Sequence, residues 1–411
     1  MERVVITGMG VASPLGCTVQ TFWEGLLAGR SGVVPVTEAE FGALRTRIGA
    51  RLAGYDERQY FDAKEARRMS RSSQMAVAAT TQAVAQAGLT PQQIDYQEVG
   101  VIIASSIGGF AASDGFFKAF YVKGTSNPLI IPISMNSAPS SNVSIRFGFQ
   151  GPMLTVDAAC ASSAHAIGYC YNLIRAGQLD MAVTGGSDCP FAPGVVAAWC
   201  ALRALSERND EPETACRPFS ADRDGLVLGE GAAIFVMESE TSAQRRGQPI
   251  LAEVLGYAAA SDSYHLTQPV PDGPARAMRR ALTNAGVTPE QIDWINAHGT
   301  ATIWNDKTET AAIKMVAGDH AYQVPVVSLK AGLGHAIAAS AALQTAAAIL
   351  SIRDQTVPPT SNYRVRDPEC DLDYVTEGPR RQAISRVLGN SFAFGGSNAA
   401  LVIARYEPRE G

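Results

Sequence analysis

The chain repeats itself, and that repetition limits the folds open to it. Ala87-Gly88-Leu89-Thr90-Pro91-Gln92-Gln93-Ile94-Asp95-Tyr96 returns as Ala285-Gly286-Val287-Thr288-Pro289-Glu290-Gln291-Ile292-Asp293-Trp294. Each copy follows a helical run (Val77 to Ala87; Ala275 to Ala285) and leads into a strand. In both, glycine ends the helix, threonine caps a short turn with proline in its first position, and an aromatic residue points towards the strand. Turn chemistry explains half of such a match, but not the Gln-Ile-Asp-aromatic continuation. The pattern predicts a duplicated α/β unit with halves 1–249 and 250–411. A strand over Ile250 to Leu255 would open the second half as Val4 to Met9 opens the first. Alternating strands and helices imply sheets covered by helices.

Composition narrows the class. A 411-residue chain that is 46% hydrophobic and holds 38 glycines fits a well-packed α/β protein. Its formal net charge of -5 gives no footprint for nucleic acid. The cysteines (Cys17, Cys160, Cys170, Cys189, Cys200, Cys216 and Cys370) are scattered without a CxxC pair. Neither disulfides nor zinc are expected, and a reducing compartment is. Met1 to Gly8 enters a strand at once, leaving no room for a signal peptide. The best apolar run, Val99 to Ala112, is glycine-interrupted and short of a membrane span. The expectation is a soluble cytoplasmic protein.

Chemistry gathers at three strand ends. Cys160 stands in Leu154-Thr155-Val156-Asp157-Ala158-Ala159-Cys160-Ala161-Ser162-Ser163-Ala164, an apolar stretch that breaks into small residues before a helical pattern. That is a strand-to-helix elbow with a thiol at its tip, where a helix N-terminus lowers a thiol pKa. A buried structural cysteine is the competing reading. His298 follows a short strand in Ile295-Asn296-Ala297-His298-Gly299-Thr300-Ala301-Thr302. His335 closes Val327-Ser328-Leu329-Lys330-Ala331-Gly332-Leu333-Gly334-His335, ahead of an Ala-rich helix from Ala336 to Leu350. Three reactive side chains on strand-end loops form the usual pattern of catalytic groups on α/β scaffolds. Of the other histidines, His165 reads as packing, His320 as surface loop and His265 as shaping its own polar loop. Phe394-Gly395-Gly396-Ser397-Asn398 is a turn whose backbone N–H groups can cradle an oxyanion. No metal site or nucleotide motif is present.

As a set these residues resemble a β-ketoacyl-[acyl carrier protein] synthase of the elongating ketosynthase family. The similarity runs from Val4-Val5-Ile6-Thr7-Gly8-Met9-Gly10 through Arg217-Pro218-Phe219 and Arg223-Asp224-Gly225 to Phe394-Gly395-Gly396-Ser397-Asn398. It implies an α/β, thiolase-like, duplicated five-layer αβαβα fold. It implies decarboxylative Claisen condensation of an acyl chain held on Cys160 with malonyl-carrier protein. His298 and His335 would hydrogen-bond the extender thioester oxygen, and Lys330 would support them electrostatically. Cys160 and Phe394 backbone N–H groups would form the oxyanion hole, with Phe394 also gating malonyl entry. Thr300 and Thr302 would contact the pantetheine arm, and Ile107 would line the acyl pocket. No cofactor beyond the carrier's own phosphopantetheine is implied, and no metal. An acyltransferase using the Cys160 thioester, and a weakly catalytic partner subunit, remain alternatives.

Two departures stand out. Gln344 occupies the place of the family's glutamate, which would leave Lys330 without a carboxylate partner. Ile303 and Trp304 are bulky where proline and smaller residues are usual, hinting at a specialised pathway. For the acidic carrier protein, Lys64, Arg67, Arg68 and Arg71 at helical spacing suggest a basic dock, with Arg208 an added member. A solvated charged face is the alternative. The family implies a homodimer, or a heterodimer with a chain-length-factor homologue.

Overall fold

The computed structural model describes residues 1–37, 41–90, 92 and 94–408, so Pro91 and Gln93 of the first repeat lie outside the described residues. The first half contributes β1 (Val4–Ala12), β2 (Val99–Ala104), β3 (Met153–Val156), β4 (Met181–Asp188) and β5 (Gly231–Ser239). The second contributes β6 (Ala252–Ser261), β7 (Trp294–Asn296), β8 (Val326–Val327), β9 (Arg386–Phe392) and β10 (Ser397–Ala404). The first half is ordered β1-β5-β4-β2-β3 and the second β6-β10-β9-β7-β8. Strand n of one half therefore takes the place of strand n+5 of the other. Directions agree as well, with antiparallel pairs near β1 and β6 and parallel pairs at the far edges. A short antiparallel ladder, Val5 to Glu253 and Ile6 to Ala252, joins the two sets into one ten-stranded sheet.

The helices repeat in step. α1 (Arg71–Gln86), α2 (Ala138–Phe147) and α3 (Ser162–Arg175) correspond to α4 (Asp272–Ala285), α5 (Ile303–Ala317) and α6 (Ser340–Asp354). α1 and α2 cover the outer face of the first half, and α4 and α5 that of the second. α3 and α6 pack on each other between the two strand sets. The result is five layers, α, β, α, β, α. α6 is buried from Ser340 to Ile352, as its small residues on all sides require of a helix walled in by sheet. The duplicated passage connects α1 to β2 and α4 to β7. Gly88 (φ 61°) and Gly286 (φ 69°) both take the left-handed conformation that ends a helix. Close backbone approach recurs too: a Cβ on Gly10 would lie 1.9 Å from the Ala79 carbonyl, and one on Gly256 would lie 2.7 Å from that of Ala281.

The expected basic helical face does not form. The helix carrying Lys64 is a single turn, Ala63–Ala66, ended by Arg67, and a new helix starts at Arg71 with Ser70 as its cap. Arg71 turns inwards, pairing with buried Glu230 at 2.7 and 2.8 Å and covering the Tyr55 ring. Breaking a buried ion pair leaves an uncompensated charge. Arg71→Ala is therefore expected to destabilise the fold by about 3 kcal/mol, read as an earlier midpoint in chemical denaturation. Lys64→Ala, at an exposed position, should leave the midpoint unchanged.

Candidate active site

Cys160 follows β3 in a tight turn, Ala159–Ala161, that runs into α3. Ala159 has φ 48°, a strained left-handed conformation that raises the thiol at the elbow. His298 follows β7 and His335 follows β8. All three side chains are buried, yet they line one cavity of about 360 Å³ together with Thr300, Thr302 and Phe394. The imidazoles meet edge to face with centroids 5.5 Å apart. Backbone N–H groups of Phe394 and of Cys160 itself reach the thiol sulfur.

Burial dominates the electrostatics. It pushes the Cys160 thiol up to about 11, with Lys330 and the two amides pulling against it and Asp188 adding to it. The thiolate expected from the helix N-terminus is therefore not the resting form, because desolvation outweighs a dipole effect of about 1 kcal/mol. Burial and the Lys330 charge hold both imidazoles well below the usual histidine range, so both are neutral. The Ile337 N–H donates to His335 Nδ1 at 3.2 Å. That nitrogen is an acceptor, so the His335 proton sits on Nε2. His298 Nδ1 has no partner among the described residues.

Lys330 donates its ammonium to the His298 carbonyl at 2.5 Å, and burial lowers it to about 8. Gln344 is no charged partner for it, and the carboxylate that acts most on its charge is Glu309 of α5, through space rather than in an ion pair. Glu309 is fully buried and accepts from the amides of His298 (2.8 Å) and Gly299 (2.7 Å) and from Asn390 Nδ2 (3.1 Å). Gln344 instead turns its amide onto the Ala297 carbonyl at 2.7 Å and stitches α6 to Asn296 and Asn390. Glu309 escaped sequence reading because nothing marks a helical glutamate as buried. The signal was its place on one α5 face with Asp306, Ala312 and Ile313, all buried.

The remaining expectations divide. Thr300 and Thr302 share a 2.8 Å hydrogen bond on the cavity wall. Phe394 stacks on Trp199 at 5.7 Å across the cavity mouth. Ile107 is not on the cavity wall; it packs against the apolar cluster of Val196, Leu205 and Leu226. His165 is more than packing, since its ring nitrogens reach the Tyr257 hydroxyl at 2.8 Å and Ser397 Oγ at 3.0 Å. Lys64, Arg67 and Arg68 are neighbours on the surface. Arg208 is engaged by the Asp222 carbonyl at 2.7 Å and the Asp224 carboxylate at 3.5 Å, so it is not an open cation beside them. Ile303 and Trp304 stand at the cavity mouth.

Comparison with known proteins agrees with this geometry. Residues 1–243 match the beta-ketoacyl synthase N-terminal domain and residues 251–364 the C-terminal domain. The chain belongs to the β-ketoacyl synthase family. It is 40% identical over 410 residues to 3-oxoacyl-[acyl-carrier-protein] synthase 2 of Synechocystis, covering 99% of each chain. The ishigamide ketosynthase/chain length factor structure superimposes with TM-score 0.93 at 35% identity, covering 99% of this chain and 100% of that one. A type II polyketide acyl-carrier protein in complex with its ketosynthase bound to the hexaketide gives 0.91 at 32%, covering 98% and 100%.

Lys330 supplies the charge on which the other groups depend. Its removal should raise the Cys160 pKa, because a thiolate loses a nearby cation. Lys330→Ala is therefore expected to slow iodoacetamide labelling of Cys160 at pH 7, measured by peptide mapping, and to move both imidazole titrations upwards by NMR.

Proposed function

We propose that the chain condenses an acyl group with malonyl-carrier protein by decarboxylative Claisen chemistry, extending the chain by two carbons. The observation that carries this is one cavity holding a thiol, two neutral imidazoles and a pair of backbone amides. The relatives' names and the carrier-bound ketosynthase structure support the same reading.

The Cys160 sulfur attacks the acyl thioester, its proton leaves with the displaced pantetheine thiol, and the acyl group is stored on the enzyme. The Cys160 and Phe394 amides stabilise the oxyanion of the tetrahedral intermediate. Malonyl thioester then enters, and the carbon–carboxylate bond breaks to release carbon dioxide and place charge on the thioester oxygen. The His335 Nε2–H is a donor for that oxygen, and His298 would be the second. Neutral donors stabilise an enolate without protonating its carbon. The carbanion attacks the acyl-Cys160 carbonyl, the carbon–sulfur bond breaks to expel the Cys160 thiolate, and a proton taken up from solvent restores the thiol.

The carrier protein would dock at Lys64, Arg67 and Arg68, the exposed cations the fold keeps together. A partner subunit would cover Phe117, Phe120, Tyr121 and Ile131, large apolar side chains left exposed on two neighbouring helices. We take the homodimer as the working assembly. Among the described residues no helix is long and apolar enough to cross a membrane.

Intact-protein mass spectrometry with acyl and then malonyl carrier proteins tests the reading. Wild type is expected to gain an acyl adduct that leaves as a β-ketoacyl product two carbons longer. Cys160→Ala should gain none, and His335→Ala should load but discharge at least about 100-fold more slowly. Loading by wild type with no malonyl-dependent discharge would sink the condensing reading.

A further inference from the structure

At the end of β4, Asp188 is fully buried and accepts from four backbone amides on three separate segments. Cys189 (3.1 Å) and Ile107 (3.2 Å) donate to Oδ1, and Ala338 (3.2 Å) and Ser106 (3.3 Å) to Oδ2. One of those segments bears directly on the chemistry, and a second braces it from outside the cavity. Ser106 and Ile107 form the loop after β2, and Ala338 belongs to the turn directly behind His335. We propose that Asp188 is a positioning residue for condensation, tying the Ser106–Ile107 loop to the turn that orients His335. The rate readout below rests on the condensing reading; the spectroscopic one does not.

The His335 turn needs such a restraint. Ile337 sits at φ 44°, a conformation that a β-branched residue adopts only when its surroundings impose it. Its N–H donates to His335 Nδ1, and the next N–H, from Ala338, donates to Asp188. The carboxylate thus anchors the strained turn that fixes the imidazole proton on Nε2. On the opposite side the loop presses close: a Cβ on Gly108 would lie 3.0 Å from Asp188 Oδ1 and 2.3 Å from Ser72 Oγ. Each Asp188 oxygen serves donors from two segments. An asparagine would present an NH₂ to one pair of them, so only a carboxylate satisfies all four.

The test is ring nitrogen NMR on histidine-labelled enzyme together with the condensation rate, for Asp188→Asn and Asp188→Glu. Asp188→Asn is expected to show both His335 tautomers and to condense at least about tenfold more slowly. Asp188→Glu, which keeps two acceptor oxygens, is expected to hold the Nε2–H form and recover to within about threefold of wild type. An Asn variant with an unchanged tautomer, or one condensing within about twofold of wild type, overturns the proposal. If the Asn variant does not fold, the Glu variant decides, and absence of recovery overturns it. A wild type that fails to condense removes the functional reading and leaves the tautomer result standing on its own.

Discussion

Removal of water from between the two strand sets governs this molecule. α3 and α6 fill that layer with small and apolar side chains, and the strand ends carrying Cys160, His298 and His335 open beside it. An isolated charge placed there costs several kcal/mol. The ionisable groups around the Cys160 thiol answer that cost in two ways. Cys160 and the imidazoles take their neutral forms. Lys330 and Glu309 keep hydrogen bonds to backbone groups of the His298 loop. Two neutral imidazoles beside a thiol suit a reaction whose charge develops on oxygen.

Duplication explains why the reactive groups meet. Cys160 after β3 and His335 after β8 occupy equivalent loops, each feeding a central helix. His298 after β7 is the counterpart of the Ser106–Ile107 loop after β2. Asp188 at the end of β4 matches the segment that leads to Phe394 after β9. A pseudo-symmetric scaffold brings equivalent strand ends together, and the two halves then place different side chains there. One half supplies the thiol, and the other supplies the imidazoles and the amide at Phe394.

The repeated passage at residues 87–96 and 285–294 made the duplication legible, because turn chemistry is written locally in glycine, threonine and proline. Cys160, His298 and His335 were legible as candidates for the same reason: each follows a strand and sits among small residues. The basic face was misread because helical spacing says nothing about where a helix stops, and Ser70 starts a new one that carries Arg71 inwards. Glu309 was missed for a different reason. Which carboxylate acts on Lys330 through space is set by the fold, and Glu309 arrives from another helix.

Sequence by itself determined the α/β alternation, the doubling, the strand-end placement of the reactive residues and the family resemblance. These depend on local periodicity and on motifs, which a linear chain carries whole. The tertiary structure alone decided the protonation states, the tautomer of His335, the burial of Glu309 under the His298 loop and the reach of Asp188 across three segments. Those properties come from burial and from contacts between distant residues, such as Asp188 and Ala338, that no local pattern encodes.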